Sequence, residues 1–243
     1  MGACFFYQAT GVYLEPGRMD VDNEIVTPGR GTDMEHHWDE AFGYFGAARD
    51  FSSYSLEQIA SKRGKDTNGD GYISLLAEQN LGVAPNAAKR DLGAVNNPGL
   101  TKNVYDLFWR GRALVARGAT LESVKPFAKQ ASIYWEKVIA ATVVHYINKT
   151  ISEMDSFGSA DYLFKDHVKY WAEMKGYALA FQFSPYSPMH KRVFLALHEK
   201  MGNQPVLMDR SKSERDSYKA SLLKARDLLE STYGFNRDNV SNW

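Results

Sequence analysis

VKPFAKQASIYWEKVIAATVVHYINKTISEM, residues 124 to 154, is the stretch that decides the fold. Ala128, Ala131, Trp135, Val138, Thr142 and His145 recur at spacings of three and four, the step that gathers side chains on one side of an α-helix. At 3.6 residues per turn the segment makes about eight turns, long enough to be the strut on which other helices pack. No stretch keeps the period of two that a half-buried strand requires.

Working outward toward the C-terminus, Ala160 to Phe183 carries a second helical face of His167, Tyr170, Trp171, Met174, Ala178 and Phe181. Ser187-Pro188 predicts a further helix to Met201 with proline in the first helical position. Ser213 to Tyr233 reads as the last helix, closed by Gly234. Toward the N-terminus, Val104 to Arg117 is helical, and the Gly, Pro and Asn punctuation of residues 82 to 100 (GVAPNAAKRDLGAVNNPGL) reads as a connection. Residues 3 to 14 have loose helical spacing, are stopped by Pro16-Gly17, and lead into a polar loop over 16 to 31. The expected fold is all-α, an up-and-down helical bundle or two packed bundles. The expected division is an N-terminal part, 1–100, and a C-terminal part, 101–243, with one continuous domain as the alternative.

The N-terminal part concentrates the chemistry. In TDMEHHWDEAFGYFG, residues 32 to 46, Thr32 and Glu35 form a capping box, which starts a helix near Asp33 and carries it to residue 47. On that helix His37 and Glu40 stand at i,i+3, His36 and Glu40 at i,i+4, and Asp33 one turn earlier, so an imidazole and a carboxylate can meet on one patch. Neutral imidazole with carboxylate suits zinc or iron. Two or three donors do not complete a site; His145 and His167, each on an apolar stripe, are the further ligands that facing helices could supply. The competing structural reading is a core helix whose histidines hydrogen-bond a carboxylate without metal.

After a short helix near residues 55 to 63 comes DTNGDGYIS, residues 66 to 74. Asp66, Asn68, Asp70, the Tyr72 carbonyl and Ser74 occupy positions 1, 3, 5, 7 and 9 of an EF-hand loop, with Gly71 at the sharp turn. Position 12 is Ala77, and the expected carboxylate comes one place later as Glu78. A structural Ca²⁺ ion is one expectation, a plain Asn-Gly and Asp-Gly turn the other. The aromatic pairs Phe108-Trp109, Tyr134-Trp135 and Tyr170-Trp171 read as core at helical spacing.

Composition bounds the remaining classes. With 44% apolar and 13% aromatic residues over 243 positions, the chain can bury a sizeable core. Twenty-nine basic residues balance 29 acidic ones and form no stripe, which argues against nucleic acid or anionic lipid as partner. A single cysteine, Cys4, allows no internal disulfide. No apolar run reaches the roughly 18 residues of a membrane span, so no transmembrane segment is expected. Met1 leads into GACFFYQATGVYL without a basic n-region or a long apolar h-region, and the chain is expected to be an N-terminally truncated piece of a longer exported protein. There is no HExxH, no Gly-x-Ser-x-Gly and no pair of Glu-x-x-His helices, which sets aside thermolysin-type, serine-hydrolase and ferritin-type sites.

The segment His37-Trp38-Asp39-Glu40 is similar to the His-x-x-Glu signature of the imelysin-like proteins, exported bacterial helical proteins linked to iron uptake and once described as metallopeptidases. EHHWDEAFGYFG together with YWAEMKGYALAFQFSP resembles a related bacterial family of unknown function. In imelysin a glycine stands two places before the histidine, where this chain has Glu35. The resemblance implies a two-bundle fold, a periplasmic or outer-membrane-attached setting with cell-envelope partners, and a metal or ligand pair at His37 and Glu40. The leading expectation is an imelysin-like, non-catalytic exported protein that binds a metal ion or small ligand. Its rivals are a metal-dependent hydrolase or peptidase using His37 and Glu40, with Glu40 as general base, and a calcium-stabilised structural or adhesion module.

Overall fold

The computed structural model describes residues 2–24 and 29–243. Residues 25–28 of the expected polar loop lie outside the described residues. The fold is all-α, as the helical periodicity predicts: α1 (Gly2–Phe6), α2 (Pro16–Met19), α3 (Asp33–Phe45), α4 (Leu56–Ala60), α5 (Ala84–Leu92), α6 (Leu100–Val115), α7 (Leu121–Asp155), α8 (Phe164–Ala178), α9 (Lys191–Met201), α10 (Lys212–Tyr233) and α11 (Arg237–Asn242). No strand occurs among the described residues. No helix is long and apolar enough to cross a membrane among the described residues.

Two compact units interleave along the chain: Met1–Leu92, Asn97–Val138 and Phe183–Ser187 make the first; Gly93–Asn96, Ile139–Gln182 and Pro188–Trp243 the second. Helix α7 belongs to the first through Val138 and to the second from Ile139. The first unit is built around aromatic rings. Trp135 on α7 meets Phe6, Phe45 and Phe108 with ring centres 5.9, 5.3 and 6.4 Å away, tilted edge to face, the arrangement that ring quadrupoles favour. Trp38 packs 5.8 Å from Phe108 and donates its indole N–H to the Phe108 carbonyl at 2.9 Å, so its polar edge is satisfied in the interior. In the second unit Met174, Leu197, Met201, Leu222, Ala225 and Leu229 are fully buried. There the Tyr218 hydroxyl donates to the Met201 carbonyl at 2.7 Å and accepts from Trp171 Nε1 at 2.9 Å.

Several elements differ from expectation. The stretch over 82–100 is not only a connection, because it contains α5. Pro85 stands second in that helix, where its missing N–H costs nothing, and Ala84, Ala87 and Ala88 are buried. Buried Asp91 at the end of α5 accepts from the Leu100 and Thr101 amides at 2.8 Å each and from the Thr101 hydroxyl at 2.6 Å. This carboxylate supplies the cap that Gly99 lacks, and α6 therefore begins at Leu100 rather than Val104. Helix α9 starts at Lys191 with His190 as N-cap, past Pro188. Residues 7–13 continue α1 as a π-helix, with the Leu14 amide reaching the Ala9 carbonyl at 2.9 Å. Helices α2 and α11 lie where loop and tail were expected.

Candidate functional site

Helix α3 organises the first unit's chemistry. The expected capping box is present: Thr32 Oγ1 accepts from the Glu35 amide at 3.0 Å, and Glu35 Oε2 accepts from the Thr32 amide at 2.9 Å. That amide and the Arg112 guanidinium hold the Glu35 carboxyl below its ordinary pKa. The helix ends at Gly46, in the left-handed region at φ +79. A Cβ there would stand 2.4 Å from the Leu81 carbonyl oxygen, so only glycine lets the chain segment at Leu81 come this close. The approach is fixed by Leu81 N donating to Gly46 O at 2.7 Å and Val83 N to Phe45 O at 3.0 Å.

The histidine face of α3 is only partly gathered. His37 is buried, and its Nδ1 has no hydrogen-bond partner among the described residues. Burial, the Arg18 cation and neighbouring His36 lower its pKa, while Asp33 acts in the other direction. His36 and Asp33 are exposed, and Glu40 is half-buried. His145 and His167 belong to the second unit. His145 is half-buried beside Tyr146, whereas His167 is fully buried, with Nδ1 3.2 Å from the Tyr162 hydroxyl. No group of three or more His, Cys, Asp or Glu side chains stands close enough to hold a metal ion among the described residues.

The 66–78 loop is closed by its own carboxylates. Asp66 accepts from the amides of Gly69, Asp70 and Gly71 at 2.7, 3.2 and 2.9 Å. Asn68 Oδ1 accepts from the Asp70 amide at 3.0 Å, and Asp70 Oδ1 from the Tyr72 amide at 2.8 Å. Glu78 is the keystone. Its Oε2 accepts from the Ser74 amide at 2.9 Å; its Oε1 accepts from the Thr67 amide and hydroxyl at 2.7 Å each and from the Asn68 amide at 3.1 Å. These donors, the Ser74 amide foremost, hold the Glu78 pKa down at about 2. The glutamate that comes one place late for the EF-hand pattern thus ties both ends of the loop together.

On the opposite side of α3 from His37 lies an open groove of about 650 Å³. Trp38, Phe42 and Gly43 of α3 and Tyr105, Phe108, Trp109 and Arg112 of α6 line one wall; Leu75, Leu76, Gln79 and Leu81 line the other. Trp109, expected in the core, is 64% exposed, and Leu75 and Leu76 are 71% and 88% exposed. Phe108 takes the inward position on α6, and its neighbour Trp109 is turned about 100° away. Arg112 bridges Glu35 and Asp39, with its nitrogens 2.8 and 2.7 Å from their oxygens. Arg49 is held by its main chain, its amide donating to Ala77 O at 2.8 Å and its carbonyl accepting from the Tyr105 hydroxyl at 2.7 Å.

None of the groove residues is a defining member of a sequence motif that marks a site. The available signal was the Leu75-Leu76 pair, two large apolar residues directly after a polar Gly- and Asp-rich loop.

The fold and these sites define an all-α helical protein with an open aromatic groove between two helices and a loop. The chain belongs to the family described as Domain of unknown function (DUF4856), whose sequence model matches residues 1–185. That match includes the histidine helix, the 66–78 loop and every residue of the groove. No curated protein and no solved structure matches the chain.

Proposed function

We propose that the protein is a non-catalytic binding protein and that a small ligand occupies the groove between α3, α6 and the 75–81 segment. The carrying observation is the conjunction of a 650 Å³ groove with three large apolar side chains, Trp109, Leu75 and Leu76, left exposed along it. Ligand sites are concave and mostly apolar, with a few convergent polar groups, a description that Arg112, Asp39 and Gln79 complete. The test uses the neutral fluorescent probe N-phenyl-1-naphthylamine. Saturable binding that is lost in Trp109→Ser and Leu76→Ser supports the reading. Absence of saturable binding, or equal binding by both variants, overturns it. Both side chains are exposed, so the variants retain the fold.

The imelysin resemblance supports a second reading, an exported cell-envelope protein that holds iron or zinc at His37 and Glu40. The observation favouring it is the buried His37 Nδ1 without a partner, one helical turn from Glu40. Elemental analysis of protein purified without chelator, beside a His37→Ala, Glu40→Ala variant, tests it. Metal lost in the variant supports the site; equal content in both discards it.

A further inference from the structure

We infer that the groove's ligand is an amphipathic anion, an apolar body carrying one carboxylate, sulfonate or phosphate, and that Arg49 receives the negative group. This rests on the groove being the binding site. Two guanidiniums belong to the groove, and they are in different states. Arg112 is already engaged by two carboxylates, Glu35 and Asp39, a cluster with a net negative charge that leaves it unavailable to a further anion. Arg49 is exposed and takes part in no ion pair among the described residues.

Its position is nevertheless not loose. The Arg49 amide is tied to Ala77 and its carbonyl to Tyr105, residues of the two opposite walls, and the Tyr105 ring is itself stacked on Phe51 with centres 4.4 Å apart. These two bonds anchor the Arg49 main chain where the α6 segment and the 75–81 segment meet, and its exposed side chain is the guanidinium of the groove that stands outside any ion pair among the described residues. Beyond it lie Phe42, Tyr105, Trp109, Leu75 and Leu76, which offer an apolar body contact area and no competing positive charge. A planar guanidinium binds an anionic oxygen pair through two parallel N–H donors, a contact stronger than a neutral hydrogen bond. A cationic ligand would meet Arg49 unfavourably, and a neutral one would leave its charge unused.

The experiment displaces N-phenyl-1-naphthylamine from the full chain with three ligands of one chain length: dodecanoate, dodecanol and dodecylammonium. Dodecanoate is expected to bind on the order of tenfold more tightly than dodecanol, and dodecylammonium more weakly than both. Arg49→Gln should remove the tenfold preference of dodecanoate over dodecanol, with an unchanged near-ultraviolet circular dichroism spectrum. If the probe binds in the groove but the three ligands compete equally, or Arg49→Gln keeps the preference, the anion inference is overturned and the binding reading stands. If the probe does not bind at all, both fall.

Discussion

The two walls of the groove are held by different physics. The α3–α6 wall is fixed by dry packing: Trp38 is wedged against Phe108 and the backbone of Gly111, where an added Cβ would lie 2.1 Å from the indole ring. The loop wall, leading through residues 66–78 to Leu81, has little apolar burial and is fixed by carboxylates that accept from main-chain amides. A packed wall resists deformation because close-packed interiors leave no room to move. A hydrogen-bonded loop on the surface opens at smaller cost, since water can replace the bonds its amides and carboxylates give up. The groove thus pairs a fixed aromatic surface with an adjustable aliphatic one.

The most damaging way to break this contrast is Gly111→Ala. The gain of about 1 kcal/mol from replacing a helical glycine is outweighed by overpacking against a ring that cannot turn away, because its N–H is bound to Phe108. A net loss of about 1–2 kcal/mol is expected in chemical denaturation, with probe binding weakened. Glu78→Gln should leave the packed wall intact and loosen the other. Chymotrypsin cleavage after Tyr72, Leu75 or Leu76 is expected to accelerate on the order of tenfold, following the population of the open loop, with a much smaller change in melting temperature.

Acid separates the regions further. The folded Glu78 carboxyl titrates at about 2, below its value in an unfolded chain of about 4.3. Its contribution is therefore fully present above that unfolded value and is lost as pH falls toward 2. Amide resonances of Thr67 and Ser74 should titrate in that window, and those of α6 near Gly111 should not. His37, on the far face of α3, works in a higher window. Its folded pKa is lowered by burial, so the unfolded state takes up protons first. The stabilisation from the neutral ring is complete above about 6.5 and declines as pH falls toward the folded value. His37→Leu should flatten the stability profile between neutral and mildly acid pH.

At the groove edge, Arg112→Met removes two partly exposed ion pairs and should cost no more than about 1 kcal/mol, a difference that salt diminishes. The smallest expected effect is His36→Ala, on an exposed ring, within about 0.5 kcal/mol of the parent.

How much of this could be read in advance varies by element. The Thr32–Glu35 box and the Gly234 end are local signals carried by residues within one turn of the helix end they mark, and they place the start of α3 and the end of α10 closely, whereas the expected end of α3 at residue 47 overshoots the Gly46 cap. The start of α6 depends on Asp91, nine residues back and on another helix, so no local pattern could place it. The groove was less legible still. Trp109 and Phe108 are adjacent aromatics on one helix, and only the neighbouring helix decides which is buried.

Taken alone, the sequence determined the all-α class, the long helix α7 and the capped start of α3, because periodicity and capping are written in residues one turn apart. Tertiary structure alone decided which face of α3 became a groove, that Glu78 closes the 66–78 loop through amides, and that Arg49 and Arg112 line the same groove. Those outcomes depend on distances between residues far apart in the chain, which the balance of packing and hydrogen bonding sets only once the helices have met.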